Sequence, residues 1–186
     1  MLGVAPKPQR ALILRRILAA RPDAATVVEG VTVPALSPMS YYFRFYLSRA
    51  LEEAGMGDAY LSQLGPWYGM LDLGLSTWAE TPEPTRSDCH AWSASPNYDL
   101  LTIVAGVHPA SAGFKTVLIE PHLQGLHRLD VSMPHPKGMI QIRYRSSGLG
   151  WTAAVSLPDG VTGTLRWDGQ NMPLHAGSQT VTLPAR

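Results

Sequence analysis

With 186 residues the chain is long enough for one large or two small domains and for a substantial core. A net charge of +1, charged residues at only 16% and no Lys/Arg-rich run leave no electrostatic footprint for nucleic acid or an anionic membrane, so neither is expected as a partner. The lone cysteine, Cys89, excludes an intrachain disulfide framework and a cysteine-based zinc cluster. No apolar run approaches the ~20 residues that cross a bilayer, and the opening Met1 to Pro8 lacks the charged and apolar regions of a signal peptide; a soluble, cytoplasmic chain is expected.

Pro8 followed by Gln-Arg-Ala-Leu-Ile-Leu-Arg-Arg-Ile-Leu predicts a helix with proline in its first turn. Leu12, Ile13, Ile17 and Leu18 fall at amphipathic spacing, and the helix should end near Pro22. Ser37-Pro38 makes an N-cap and N1 pair for a second helix through Tyr42, Phe45, Tyr46, Leu47, Ala50 and Leu51, stopped by Gly55, its aromatics facing a core. Asp58 can cap a third helix carrying Tyr60, Leu61, Leu64, Trp67, Tyr68 and Leu71, with Gly65-Pro66 as a break or kink and with Trp67 and Tyr68 in the core. Ser95-Pro96 repeats the cap signature before a short, buried helix through Leu100 and Val104.

From Lys115 the apolar period changes towards two: Val117 and Ile119; Leu129 and Val131; Ile140, Ile142 and Tyr144; Trp151, Ala153 and Val155; Leu165 and Trp167; Val181 and Leu183. Pro158-Asp159-Gly160 and Asp168-Gly169 are turn signals, because glycine tolerates the positive φ that tight turns require. An antiparallel sandwich or barrel-like module is expected, with a boundary near residue 110. The class is therefore α+β, in two parts. Trp151 and Trp167 fill the core of such a module or line a carbohydrate-binding face.

Between the third and fourth helical patterns, residues 77–96 crowd two Trp, two Glu, an Asp, a Cys, a His and an Arg among three prolines. Ordered loops on a rigid scaffold carry function disproportionately. Trp78 and Trp92 offer flat apolar faces, while Glu80, Glu83, Asp88 and His90 offer acid/base and hydrogen-bonding groups, a combination that suits a sugar.

Roughly four helices with faces this aromatic are many for a short bundle, and helices that stack as pairs in a toroid need neighbours on both sides. Such a terminal piece exposes a face that is buried in the larger assembly, which suggests a truncated gene product or a deliberately shortened chain. Thr77-Trp78-Ala79-Glu80 and Ser87-Asp88-Cys89-His90-Ala91-Trp92-Ser93 are similar to the barrel-end loop motif of bacterial α-L-rhamnosidases and their six-hairpin glycosidase relatives. Over nearly all its length the chain resembles the C-terminal part of that family.

The resemblance implies that residues 1–110 are the last helical hairpins of an α/α barrel and residues 111–186 a C-terminal antiparallel β-sandwich. It implies a catalytic general base at Glu80 and a sugar-contacting histidine at His90; beside them, Asp88, Trp78 and Trp92 are read from their chemistry as lining the sugar subsite. The chain inserts Ala79 between Trp78 and the glutamate, and has Cys89-His90-Ala91 where many members have Asn-His-Tyr. An inverting glycosidase also needs a general acid about 6.5–9.5 Å from the base. In the family that acid lies in an earlier part of the barrel, outside this chain, so hydrolysis by the chain alone is not expected. The implied ligand is a rhamnoside or related carbohydrate, the implied partner is the missing N-terminal part of the barrel, and no cofactor is required.

Each residue also has a structural reading. Glu80 can cap a helix or pair with Arg86, and Asp88 and His90 can brace the loop as a pair. Trp78 and Trp92 can anchor it as buried aromatics. Cys89 beside His90 lacks an oxyanion-hole glycine motif and is read as structural. His108, His122, His127, His135 and His175 are scattered without ligand spacing, so no metal site is expected. A noncatalytic β-sandwich module with a helical lead, or a subunit completing a barrel supplied by another chain, are the alternative functions.

Overall fold

A computed structural model describes residues 5–185. Met1 to Val4, which enter the leader-peptide argument above, lie outside the described residues. The chain divides into two compact units, the first ending at Asn97 and the second beginning at Tyr98. Among the described residues, no helix is long and apolar enough to cross a membrane.

In the first unit, helix α1 spans Lys7–Ala19 with proline in its first turn, and Ala20 leaves the helix in an extended conformation ahead of Pro22. The residue that α1 buries is Leu14, which packs with Leu47 and Leu51, while Ile13 is exposed. Of the expected stripe, Leu12, Ile17 and Leu18 are half-buried, Leu18 against this same cluster, and Ile13 faces solvent. A hairpin, β1 (Thr26–Val28) with β2 (Val31–Val33), turns through Glu29 and Gly30, both at positive φ. That geometry favours Asn-Gly or Asp-Gly, so Glu-Gly carries a weak sequence signal for it.

Helix α2 runs Arg44–Glu53, six residues later than the Ser37-Pro38 signature implied. The segment before it is held in other ways: Leu36 N–H donates to the Arg21 carbonyl (3.0 Å) and Tyr41 N–H to the Glu80 carbonyl (3.1 Å). Gly55, at φ +70°, ends α2 as expected, with Met56 N–H reaching back to the Leu51 carbonyl (2.8 Å). The third helical region starts as two 3-10 turns, Gly57–Ala59 and Leu61–Leu64, and becomes helix α3 at Gly65–Asp72. Gly65-Pro66 therefore starts a helix instead of breaking one, since a proline in the first turn gives up a donor that has no intrahelical acceptor there. On α3, Trp67 and Met70 are buried, whereas Tyr68, expected in the core with Trp67, is 60% exposed, as is Leu71 at 54%. Positions three apart share a helix face, and only one face of α3 is covered.

A short helix, α4 (Pro96–Asp99), spans the boundary and continues in the second unit as a π-helical turn over Leu100–Val104 that buries Ile103 and Val104. The Ser95 hydroxyl is buried without a hydrogen-bond partner, so it does not cap α4 as the sequence suggested. Eight strands follow: β3 (Val107–Pro109), β4 (Thr116–Ile119), β5 (Arg128–His135), β6 (Gly138–Ser147), β7 (Gly150–Leu157), β8 (Thr162–Trp167), β9 (Gln170–Leu174) and β10 (Gly177–Pro184). They form two four-stranded sheets, ordered β10-β7-β6-β5 and β3-β4-β8-β9.

The first of these sheets is antiparallel throughout. The second contains a parallel pair, β4 with β8, so the module is mixed where an all-antiparallel one was expected. The sequence alternation specifies which face is apolar but is blind to strand direction. Both sheets feed one apolar cluster. It includes Val117, Ile119, Ile140, Ile142, Tyr144, Ala153, Val155, Leu165, Trp167 and Leu183, with Leu129, Val131, Trp151 and Val181 packed against it. The phenol of Tyr144, fully buried there, donates to the Ala105 carbonyl (3.1 Å), and burial pushes its pKa upward. At Gly163 a Cβ would lie 2.4 Å from the Val117 carbonyl oxygen, so the parallel pair closes over the absence of a side chain.

Candidate functional site

The loop after α3 folds back on itself through its main chain. Thr77 Oγ1 donates to the Asp88 carbonyl (2.5 Å), His90 N–H to the Trp78 carbonyl (2.8 Å), and Glu80 N–H to the Ser87 carbonyl (2.8 Å). These ties set the two motif strips, 77–80 and 87–93, side by side. The arch is fastened to α3 from both arms: Ala79 N–H donates to Met70 Sδ (3.2 Å) and the Trp67 indole N–H to the Ser93 carbonyl (2.7 Å). Its third anchor is the stretch before α2, where Tyr41 N–H binds the Glu80 carbonyl and the Tyr42 ring lies 5.0 Å from that of His90.

Glu80 is the buried charge of this loop, with 5% of its surface exposed. Arg86 grips it with two hydrogen bonds, Nε to Oε2 (2.9 Å) and Nη2 to Oε1, although the Arg86 side chain is itself 82% exposed. The fork geometry of a guanidinium matches a carboxylate, which makes such bidentate pairs the stronger ion pairs. The hydrogen bonds from Arg86 hold the Glu80 pKa below the ordinary carboxylate range against the opposing effect of desolvation, with the charges of Arg86 and His90 adding to the depression. Glu80 is therefore ionised at neutral pH. That is the state a general base needs, but a depressed pKa also makes the carboxylate a weaker proton acceptor.

The other site residues predicted from sequence divide into two groups. His90 and Trp92 are brought together by Tyr42, whose ring lies 5.0 Å from His90 and 5.7 Å from Trp92. Trp92 also meets Phe45 (6.3 Å) and Tyr46 (5.9 Å), yet remains 46% exposed, so it forms part of a surface aromatic cluster. Trp78 is half-buried and contributes its main chain to the arch. Asp88 has an exposed side chain, and among the described residues it makes no hydrogen bond or ion pair with His90. The bracing pair considered above does not form; the arch is closed by the Asp88 carbonyl instead. Glu83 accepts the Thr85 N–H (3.1 Å), a local turn contact, and Cys89 is an exposed free thiol.

Sequence reasoning missed the run Tyr41-Tyr42-Phe43-Arg44-Phe45-Tyr46 as part of this site. The density of aromatics in six residues was the available signal, but it was assigned to a core helix. Four of them pack around the loop or on Trp92 through Tyr41–Trp67 (6.2 Å), Tyr42, Phe45 and Tyr46. Among the described residues, no group of three or more His, Cys, Asp or Glu is placed to hold a metal ion.

Comparison with known proteins bears on the fold and on the second unit. Residues 106–181 match the family model described as the bacterial alpha-L-rhamnosidase C-terminal domain. A GH78 family rhamnosidase of Bacillus sp. GL1 superposes with a TM-score of 0.72 at 25% identity, covering 88% of this chain and 18% of that one. The α-L-rhamnosidase of Aspergillus terreus has a TM-score of 0.64 at 19% identity over 77% of this chain, and that of Streptomyces avermitilis, solved with L-rhamnose, 0.63 at 18% over 76%. The chain spans about a fifth of the length of these solved proteins, 18–19% of each. A search of curated proteins finds no match. In sequence over its second unit and in fold over most of its length, the chain resembles the C-terminal part of the bacterial α-L-rhamnosidases.

Proposed function

We propose that the chain is the C-terminal part of an inverting glycoside hydrolase that removes terminal α-L-rhamnosyl or similar residues, and that it does not hydrolyse on its own. The first unit, to Asn97, then contributes closing hairpins of an α/α barrel and the second, which includes β3, a β-sandwich, so the boundary lies ahead of residue 110. Glu80 is the general base, activating water on the face of the sugar opposite the leaving group. His90, Asp88, Trp78 and Trp92 line the sugar subsite, and the general acid comes from a part of the barrel outside these residues.

The observation that carries this reading is the construction of the 77–93 arch. It places a buried, ionised carboxylate and a histidine on one loop beside exposed aromatic rings, within a chain whose second unit matches a rhamnosidase domain. The exposed Phe43, Tyr46, Tyr68, Leu71 and Leu73 of the first unit add support, since apolar surface of this kind is ordinarily covered by further helices. Catalysis requires Arg86 to loosen its hold on Glu80 when substrate binds, because both carboxylate oxygens are occupied by it.

That same occupancy favours a second reading, in which the Glu80–Arg86 pair only ties the loop and the chain is a noncatalytic carbohydrate-binding or structural module. The test is release of 4-nitrophenol from 4-nitrophenyl α-L-rhamnopyranoside by this chain and by a form extended upstream through a whole barrel, each with and without Glu80→Gln. Activity only in the extended form, abolished by Glu80→Gln, sustains the proposal. Activity indifferent to Glu80→Gln moves the base elsewhere, and absence of hydrolysis in both forms favours the module.

A further inference from the structure

The outward face of the sheet β10-β7-β6-β5 carries an uncompensated positive charge. Along its strands the outward positions hold Arg128 and Asp130 on β5 and Arg143 and Arg145 on β6, so three guanidinium groups share one carboxylate. Asp130 stands opposite Arg143 in register, yet Arg145 Nη2 takes both of its oxygens, at 2.7 and 2.9 Å. Arg143 is left without an ion pair among the described residues, and its side chain is exposed.

Beside Arg143 the sheet has an open hollow of about 410 Å³. The register shows why. Gln141, Ser156 and Ser178 form one cross-strand row, and Arg143, Ala154 and Thr180 form the next. Ala154 in the middle of the second row leaves the dip between a cation on one side and a hydroxyl on the other. Neighbouring strands are about 4.8 Å apart and alternate residues of a strand about 6.7 Å, so the two rows frame roughly 10 by 7 Å, the size of a pyranose ring with its substituents. Ser178 Oγ donates to Ser156 Oγ (3.3 Å), which leaves further hydroxyl valence on each; Gln141, Arg143 and Thr180 offer their groups to solvent.

We infer that this sheet face binds a carboxylate-bearing saccharide, a uronate residue of an acidic glycan, with Arg143 on the carboxylate and the Gln141, Ser156, Ser178 and Thr180 groups on the hydroxyls. The positive excess selects an acidic sugar over a neutral one, and the absence of an outward aromatic on these rows makes hydrogen bonding, not stacking, the mode of contact. The choice of a saccharide over another anion rests on the glycosidase reading above. Exposed charge pairing is weak, so the affinity is modest and falls with salt.

The test is titration calorimetry of the 186-residue chain with trigalacturonate, cellotriose and citrate at low ionic strength, repeated on Arg143→Gln and Ala154→Phe. Trigalacturonate is expected to bind, cellotriose and citrate at least about tenfold more weakly; Arg143→Gln should lose about tenfold in affinity, since one charge-assisted contact is of that order, and Ala154→Phe at least as much, because its ring fills the hollow. Both substitutions are outward-facing, and unchanged thermal midpoints check that the sheet is intact; Thr180→Val serves in place of either variant that lowers the midpoint. No saturable binding of trigalacturonate, equal binding of citrate or cellotriose, or undiminished binding by the variants overturns the inference. Binding of trigalacturonate without rhamnoside hydrolysis by the extended form removes only the hydrolase reading, and hydrolysis without trigalacturonate binding removes only this one.

Discussion

Arg86, almost wholly in solvent, closes both oxygens of the buried Glu80 carboxylate, so the only buried acid of the 77–96 loop is held by a side chain that can swing away. A carboxylate partnered from outside stays ionised without being sealed.

Because Glu80 titrates below its unfolded value, its ionised form is favoured by folding. The resulting stability is present above the unfolded pKa of about 4.3 and is lost as pH falls through the lower folded value. Urea unfolding from pH 7 down to pH 3 should show the wild type losing stability in that acid window and Glu80→Gln losing less. A parallel pH dependence in the two proteins would falsify the coupling. Arg86→Gln should bring the Glu80 carboxyl back towards or above the ordinary range and lower the thermal midpoint at pH 7.

Tyr144 gives the opposite sign. Burial raises its pKa, so the folded chain keeps the phenol protonated after the unfolded chain has begun to ionise. The associated stability is complete below about pH 10, the unfolded value, and declines as pH rises beyond it. Tyr144→Phe should remove that alkaline decline and, by orphaning the Ala105 carbonyl, cost about 1 kcal/mol at pH 7, measured by denaturant unfolding.

Trp67→Phe keeps a ring on α3 and deletes the indole N–H that binds the Ser93 carbonyl. A loss of about 1–2 kcal/mol is expected. Limited proteolysis should cut the 77–96 loop faster in the variant, since one of the two α3 anchors of the arch is gone. Equal cleavage rates would show that the Ala79–Met70 contact and the Tyr41–Glu80 main-chain bond suffice.

Gly163→Ala inserts a methyl group where the Val117 carbonyl oxygen is 2.4 Å from the ideal Cβ. The β4–β8 pair must separate, and destabilisation of about 2 kcal/mol or more is expected. Gly169→Ala, with open space around its Cβ but φ +74°, should cost about 1 kcal/mol. Comparing the two thermal midpoints separates close approach from backbone strain.

The alternation from Val117 to Leu183 determined the β module by itself: every residue named there faces or flanks the apolar cluster, because a period of two leaves a strand with one buried side. Glycine and proline punctuation likewise ended α1 and α2 and placed the Asp168-Gly169 turn. Local signals also singled out the loop and the possible Glu80–Arg86 pair, since both residues lie within one short stretch. Tertiary structure decided the rest. The direction of β8 beside β4, the start of α2 at Arg44 and the exposure of Tyr68 depend on which surfaces meet across long sequence separations. The same holds for the gathering of Tyr42 with His90 and Trp92, which lie on the far side of the whole of α2 and α3 in the chain and adjoin it only because the arch is bonded to both the pre-α2 segment and α3.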